Sequence, residues 1–253
     1  MLSTFTHPSC QVKIDYENQT VLITGATRGI GLQVANELRE LGANLILTGT
    51  NKDEIESLNK DKKEYYHVNF LDDKSTGDFI NKVSQMKIDV LINNAGINKI
   101  NLVGEIDNED WDNILKVNLT APFLIMKEVS KNMVKNKYGK IINISSIWGI
   151  RGKEKRVCYS TSKSGLVGLT LSSAAELAKH NVLINSISPG FTLTDLTKQI
   201  LGEEGMSELS QQIPIGRLAE TSEISKVILF MASKLNTYVS GQNIVVDGGF
   251  TNV

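Results

Sequence analysis

Short runs of apolar residues alternate with longer stretches of helical periodicity along most of the chain. Each run is apolar at successive positions rather than at alternate ones, which is typical of strands in a parallel sheet that is covered on both faces. They predict strands at 20–24, 44–48, 65–69, 90–93, 140–144, 183–188 and 243–246. The helical spacing predicts helices at 30–41, 53–59, 75–86, 109–135, 159–179, 195–211 and 221–232. Gly42 is placed to end the first helix, and Pro122 is expected to interrupt the long fourth one.

Strands and helices in this order predict an α/β fold, a doubly wound parallel sheet of about seven strands with helices on both faces. No linker or repeat divides the pattern, so we expect a single domain over residues 19–253 after an N-terminal extension, residues 1–18. The segment 190–215 is expected to be a mobile substrate lid, because it follows Pro189-Gly190 and carries more glycine and proline around short helical pieces.

Composition excludes several functional classes. Of 253 residues, 41% are hydrophobic and 22% charged, as in ordinary globular proteins. Lys and Arg number 27 against 28 Asp and Glu, so no general basic field favours nucleic acid or an anionic membrane. No apolar stretch approaches the ~18 residues of a membrane span, and residues 1–11 do not resemble a secretory signal. Cys10 and Cys158 make no disulfide framework and the histidines are scattered, so we expect a cytoplasmic protein without a metal.

A glycine-rich turn joins the first strand to the first helix, in the sequence T-G-A-T-R-G-I-G from Thr24 to Gly31. Gly25 permits a sharp turn, Gly29 lets the backbone approach a diphosphate, and Gly31 permits close packing of helix on strand. The phosphates would then meet the free N–H groups at the helix start. Taken alone, the motif also fits an ordinary tight turn.

The turn resembles the T-G-x-x-x-G-I-G motif of the short-chain dehydrogenase/reductase family. Three further motifs match that family in the same order: N-N-A-G at 93–96, a serine at Ser146 with Y-x-x-x-K at 159–163, and P-G at 189–190. The resemblance covers residues 19–249 and implies a Rossmann-type sheet. Within the family, the chain is most similar to β-ketoacyl-[acyl-carrier-protein] reductases and to sugar or polyol dehydrogenases, which are usually homotetramers. We therefore expect a homotetramer, or else a homodimer.

Tyr159 and Lys163 are four residues apart, so they share one face of a helix. A nearby ammonium favours the phenolate and lowers the ordinary tyrosine pKa of ~10, which makes the pair a tunable proton donor and acceptor. The resemblance implies that Tyr159 protonates the alkoxide formed by hydride transfer, that Ser146 orients it, and that Lys163 binds the cofactor ribose. It also implies that Asn118 completes a proton relay. The alternative is that Asn118 is an amide on the helix surface with no catalytic role.

The resemblance also implies a set of cofactor-binding residues. They are Gly25, Thr27, Arg28, Gly29, Ile30, Gly31, Thr50, Asn51, Asn69, Phe70, Asn94, Ala95, Gly96, Tyr159, Lys163, Pro189, Gly190, Thr192 and Thr194. NADP(H) is expected in preference to NAD(H), because NAD enzymes place a carboxylate after the second strand and this chain has Gly49 there. Arg28 would pair with the 2′-phosphate, although NAD-using relatives also carry a basic residue there and NAD(H) stays open.

The loop between Ser146 and Tyr159 must border the substrate, and it holds four basic residues and one acid. We expect Ser146, Trp148, Arg151, Arg156 and Phe191 to face the substrate, and an anion is one interpretation of the charge. The alternative is a solvated loop. The substrate is then a carbonyl or alcohol: an acyl-carrier-protein-linked thioester, or a sugar, nucleotide-sugar or other small anion. A non-catalytic nucleotide-binding protein is the runner-up from another class.

Overall fold

The computed structural model describes residues 13–60 and 64–253. Cys10 and most of the predicted extension, residues 1–12, lie outside the described residues. Within those residues, no helix combines the length and the apolar character needed to cross a membrane.

Seven parallel strands form one sheet in the order β3-β2-β1-β4-β5-β6-β9. Their bounds are Thr20–Ile23 (β1), Asn44–Gly49 (β2), Tyr65–His67 (β3), Val90–Asn93 (β4), Gly139–Ile144 (β5), Val182–Pro189 (β6) and Asn243–Val246 (β9). Two short strands, Thr192–Leu193 (β7) and Ala219–Glu220 (β8), pair separately. The predicted fold class is confirmed, with strand ends shifted by a residue or two.

Helices cover both faces of this sheet. They are Gly29–Glu40 (α1), Lys52–Leu58 (α2), Asp73–Ser84 (α3), Asn108–Leu115 (α4), Ala121–Asn136 (α5), Val157–Leu177 (α6), Asp195–Gln211 (α7) and Thr221–Ala232 (α8). Strand side chains alternate between two apolar cores: Val21 and Ile23 pack with α1 and α8, whereas Leu22 packs with α3 and α5. The predicted strands read as continuous apolar runs because each face meets such a core.

The long helical stretch is interrupted one turn earlier than expected. A π-helical segment, Lys116–Thr120, separates α4 from α5, whereas Pro122 lies in the first turn of α5. A proline costs little there, because the first N–H groups of a helix have no intrahelical partner. The expectation of a break at Pro122 is therefore wrong, and the irregularity surrounds Asn118 instead. Gly42 ends α1 with a φ of +83°, as predicted.

A row of polar residues crosses four neighbouring strands at one level of the sheet. Asn93, Asn143, Ser186 and Asn243 are register partners in turn. The Asn93 side-chain amide donates to Asn143 Oδ1 (2.8 Å), and the Ser186 hydroxyl donates to Asn243 Oδ1 (2.7 Å). Asn143 also donates to the Thr170 hydroxyl on α6 (2.9 Å). This polar row ties β4 and β5 to the helix that carries Tyr159 and Lys163.

Candidate active site

The glycine-rich turn is built by tight backbone packing. Gly25 has a φ of +66°, and a β-carbon there would lie 2.9 Å from Ala95 Cα. A β-carbon on Gly31 would collide with the Gly25 carbonyl and would meet Asn94 Nδ2 at 2.5 Å. That Asn94 amide donates to the carbonyls of Thr24 (3.1 Å) and Gly25 (2.8 Å). Asn94 and Ala95 therefore hold the turn in shape, and both lie beside it as the motif predicts.

The start of α1 fits a diphosphate. No side chain caps this end of the helix, and its first turn contains no acidic residue. The N–H groups there and the positive end of the helix dipole favour an anion. Opposite them, Thr194 Cγ2 lies 3.5 Å from the β-carbon position of Gly29, so the segment after Gly190 forms a second wall. Thr194, which follows the Pro189-Gly190 segment, thus lies across from Gly29.

The position of the expected carboxylate is closed by packing. A β-carbon on Gly49 would overlap Thr27 Cγ2 and would lie 3.3 Å from Ile55 Cδ1. An acidic side chain therefore has no room while Thr27 keeps its place. Arg28 is exposed nearby, and no ion pair among residues 13–60 and 64–253 involves it. Gly49 therefore contributes no carboxylate at the end of β2, and the exposed Arg28 offers a guanidinium there. This arrangement suits a phosphate group.

Three other predicted cofactor residues have local structural roles. Asn51 caps α2, with its side-chain oxygen accepting from the Glu54 N–H (3.0 Å), and the Thr50 carbonyl lies 3.1 Å from a His67 ring nitrogen. Asn69 Oδ1 accepts from the Leu71 N–H at 3.0 Å.

Phe70 corrects the prediction that its side chain binds the cofactor. The residue is 4% exposed, and its side chain packs in the α3 and α5 core. The strand-end pattern did not distinguish a core ring from a ligand-facing one.

Ser146, Tyr159 and Lys163 are brought together by the packing of the turn after β5 on α6. The Ser145 hydroxyl donates to the Lys163 carbonyl (3.0 Å), and the Ser164 hydroxyl donates to the Gly149 carbonyl (2.8 Å). A β-carbon on Gly149 would lie 2.9 Å from the Lys163 carbonyl carbon, so only glycine allows this approach. The contact places the Ser146 hydroxyl beside Tyr159.

Burial and two polar groups act on Tyr159 in opposite directions. Burial raises the pKa of the phenol, whereas the Ser146 hydroxyl and the Arg156 guanidinium lower that pKa. The Lys163 ammonium lies 5.7 Å from the ring centroid and donates to the Ile144 carbonyl at 2.7 Å. Burial lowers the pKa of Lys163 to about 8. The sequence analysis predicts that Lys163 lowers the pKa of Tyr159, whereas Ser146 and Arg156 are the groups that lower it in the structure.

Asn118 is fully buried in the π-helical segment, so the alternative of a surface amide is wrong. Its Nδ2 donates to the Ile97 carbonyl (2.9 Å) and the Ser162 hydroxyl (3.0 Å), and its Oδ1 accepts from the Ile97 N–H (2.8 Å). A β-carbon on Gly96 would lie 3.4 Å from both Asn118 Oδ1 and Lys163 Nζ. Asn118 and Lys163 therefore border the same point of the crevice, beside Gly96.

The predicted substrate residues Trp148, Phe191, Arg156 and Arg151 have different surroundings in the structure. Trp148 and Phe191 form a cluster of three rings with Phe250, with centroids 5.0–6.0 Å apart in edge-to-face geometry. Arg156 acts on Tyr159, as above. Arg151 is bound by the protein itself: it donates to the carbonyls of Phe250 (3.2 Å) and Val253 (2.8 Å). Phe250 was not predicted, because it is far along the chain from both ring partners, Trp148 and Phe191, and no local motif marks it.

Within residues 13–60 and 64–253, no group of three or more His, Cys, Asp or Glu side chains is arranged to hold a metal ion.

Comparison with known proteins finds similar reductases and dehydrogenases. The family model described as enoyl-(acyl carrier protein) reductase matches residues 25–251. The 3-oxoacyl-[acyl-carrier-protein] reductase FabG of Rickettsia bellii is 38% identical over 241 residues, 95% of this chain and 100% of that protein.

Solved structures with the same fold are enzymes of related kinds. A putative NAD(P)-dependent gluconate 5-dehydrogenase from Beutenbergia cavernae, with bound NADP, superposes with a TM-score of 0.87 at 28% identity, covering 94% of this chain and 99% of that one. The structure of ElxO with NADP bound gives 0.85 at 31% identity, covering 93% and 99%. Another neighbour is complexed with NADH.

Proposed function

The chain belongs to the short-chain dehydrogenase/reductase family, and from that premise we propose that it reduces the 3-oxo group of an acyl-carrier-protein-linked thioester with NADPH. It is an oxidoreductase that interconverts a carbonyl and a secondary alcohol. The substrate class comes from relatives that match nearly the whole chain, such as the Rickettsia bellii reductase. The observation that carries the reaction is the partly buried Tyr159 phenol with the Ser146 hydroxyl beside it.

Ser146 and Tyr159 divide the work at the substrate oxygen. Bound NADPH supplies a hydride to the carbonyl carbon. The Tyr159 hydroxyl donates its proton to the oxygen as negative charge develops there, and the Ser146 hydroxyl holds that oxygen in place. Burial raises the pKa of Tyr159, so the phenol is protonated at neutral pH, the form that reduction needs. The phenolate left behind is stabilised by Arg156 until it regains a proton.

Lys163 and Asn118 complete the site in our proposal. The Lys163 ammonium lies beside Gly96, where it would bond the cofactor ribose. Both donor and acceptor atoms of the Asn118 side chain are occupied by Ile97 and Ser162. A proton relay at Asn118 therefore uses its main-chain carbonyl, since a π-helical turn displaces carbonyls from the regular α-helical bonding pattern.

NADP(H) is the preferred cofactor. Several solved neighbours hold NADP or NADPH, and in this chain Thr27 closes the position where NAD enzymes place a carboxylate. Titration of both cofactors, followed by protein fluorescence, tests the choice. Arg28→Ala should raise the Kd of NADPH by about 5- to 50-fold, as expected for one charge-assisted bond at an exposed site, and should leave NADH unchanged. Tighter NADH binding by the unchanged protein contradicts the assignment.

An acidic carrier protein would need basic groups near the site. One basic group combines Lys137 with the Lys179-His180 pair, which adjoin because the Asn181 side chain donates to the Lys137 carbonyl (2.9 Å). They lie at the far end of α6, about 30 Å from Tyr159 at a rise of 1.5 Å per residue. The exposed Lys153 and Lys155 on the loop before α6 are nearer and would meet the carrier first.

We also propose a homotetramer, or a homodimer, that buries the outer face of α5 and α6. Phe123 on α5 and Leu171 on α6 are 43% and 49% exposed, and the small residue Gly168 lies three positions before Leu171 in α6. Light scattering after size exclusion tests this, and Leu171→Glu should shift the mass toward the monomer. The cytoplasmic location, the separate extension over residues 1–18 and the mobility of segment 190–215 remain predictions.

The proposed reaction is tested by following NADPH absorbance at 340 nm with acetoacetyl thioesters of coenzyme A and of acyl carrier protein. We expect turnover with both, and faster turnover with the carrier-linked substrate. Tyr159→Phe is the matched control, since it removes only the hydroxyl. Absence of turnover on every thioester contradicts the proposal.

A sugar-type substrate is the second candidate, favoured by solved neighbours that are gluconate 5-dehydrogenases. Reduction of 5-ketogluconate in preference to the thioesters would establish it. No oxidation of NADPH with any carbonyl would instead favour a non-catalytic binding protein.

A further inference from the structure

Three neighbouring strands each lead into a segment that carries one ring of the aromatic cluster. Trp148 follows β5, Phe191 follows β6, and Phe250 follows β9, and these strands are adjacent in the sheet. Trp148 is two residues beyond Ser146, whose hydroxyl oxygen accepts from the Trp148 N–H at 3.2 Å. The cluster therefore lies at the carboxyl edge of the sheet on the β9 side of the catalytic residues, where open α/β sheets bind ligands.

Phe250 is presented by a turn with its own internal bonds, residues 247–253, which we call the C-terminal turn. The Asp247 carboxylate accepts from the N–H groups of Gly249 (2.9 Å) and Thr251 (2.7 Å). Gly248 and Gly249 have φ values of +64° and +91°, a conformation that other residues rarely adopt. A β-carbon on Gly190 would lie 2.7 Å from Asp247 Cα, so the turn packs directly against the Pro189-Gly190 segment.

Arg151 fixes this turn to the loop that follows Ser146. Its Nη1 donates to the carbonyls of Phe250 and Val253, and its guanidinium lies 5.5 Å from the Phe250 ring centroid. One side chain thus bonds two carbonyls and makes a cation–π contact with the Phe250 ring. The Phe250 ring is positioned from both sides, by Arg151 and by the edges of Trp148 and Phe191.

We propose that the C-terminal turn forms one wall of the substrate pocket, that Phe250 determines which acyl chain the pocket accepts, and that Arg151 is a positioning residue for that wall. The inference rests on the proposed function, since it assigns the apolar part of a 3-oxoacyl thioester to the three rings. Rings that fill part of a pocket limit its length. Each further methylene that a pocket buries is worth about fourfold in kcat/KM.

The test compares kcat/KM for four-carbon and eight-carbon 3-oxoacyl thioesters in the full-length protein. In Phe250→Ala, the eight-carbon to four-carbon ratio should rise at least about tenfold, because the space left by the ring admits two or more methylenes. Arg151→Met should change the ratio in the same direction but less, with the KM of NADPH unaltered. Tyr238→Ala, which removes a 95% exposed ring, is the matched control and should leave the ratio unchanged.

Trp148 fluorescence provides a measurement of substrate binding that does not depend on turnover. In a Trp111→Phe background Trp148 is the remaining tryptophan, and eight-carbon thioester added to the complex with NADP⁺ should shift its emission. Phe250→Leu replaces Phe250→Ala if the latter fails to fold.

A ratio within twofold of the unchanged protein, in a folded Phe250 variant, overturns the inference and leaves the proposed function intact. If the unchanged protein reduces no thioester, the proposed function fails. In that case, the assignment of Phe250 to the pocket wall is kept only if thioesters still shift Trp148 emission and the Phe250 variant loses that shift.

Discussion

Replacing Gly31 by alanine tests whether the glycine-rich turn is as tightly built as its geometry indicates. The added methyl group would collide with the Gly25 carbonyl and press on Asn94 Nδ2 at 2.5 Å. Neither neighbour is the free end of a flexible chain, because Asn94 is tied to two carbonyls. Overpacking of this kind costs about 1–3 kcal/mol, and losing the Asn94 bond to Gly25 adds about 1 kcal/mol.

The opposing effect is smaller. Alanine gains about 0.5–1 kcal/mol over glycine within a helix. The net loss in the free energy of unfolding is therefore about 1–3.5 kcal/mol. For a chain of this size, that lowers the Tm by about 2–14 °C. The Kd of NADPH should rise at least about tenfold, since the displaced backbone lines the proposed diphosphate site.

Gly77→Ala is the matched control, because Gly77 lies within α3 and a β-carbon there meets nothing within 4 Å. It should raise the Tm by about 1–3 °C and leave the Kd of NADPH unchanged. Calorimetry and fluorescence titration measure both quantities. A Gly31→Ala protein with an unchanged Tm and an unchanged Kd would refute the packing argument.

Three further predictions concern protons. Tyr159→Phe should lower kcat by about 10²–10⁴ with little change in the Kd of NADPH, and near-normal turnover would remove the proposed mechanism. Arg156→Met should move the alkaline limb of the reductive pH profile to higher pH, because the guanidinium lowers the pKa of Tyr159 and reduction needs the protonated phenol; an unmoved limb contradicts that contact. Burial lowers the pKa of Lys140, like that of Lys163, to about 8, so between about pH 8 and 9.5 the folded chain binds fewer protons than the unfolded chain and the Tm should rise with pH. Lys140→Met should remove about half of that rise, and an equally steep rise in the variant would show that Lys140 is not its source.

The sheet was predictable because its strands are buried on both faces and read as unbroken apolar runs. The motif residues were predictable because each fixes a local turn or a helix face. The π-helical segment was not predictable, because no residue type marks an inserted turn. The helix break was predicted at the nearby Pro122 because proline usually interrupts a helix.

Side-chain direction explains the other differences. Phe70 and the expected cofactor residues around it share one strand end, but the ring points into the core. Arg151 was assigned by charge, and only the fold brings the carbonyls of Phe250 and Val253 within its reach. Thr27 closes the space at Gly49 through a contact between the glycine-rich turn and the end of β2, which no sequence pattern encodes.

The polar row across β4, β5, β6 and β9 also bears on how the chain finds this alignment. Parallel strands come from distant parts of the chain, and apolar runs of similar composition fit one another almost equally well when shifted. A one-residue slip of β5 would separate the Asn143 amide from Asn93 and Thr170 and turn it toward the α1 and α8 core. Each buried amide left without partners costs about 1–3 kcal/mol. These amides add little net stability to the native sheet, but they destabilise sheets in which the strands are out of register. They thereby favour the strand alignment on which the catalytic residues after β5 depend.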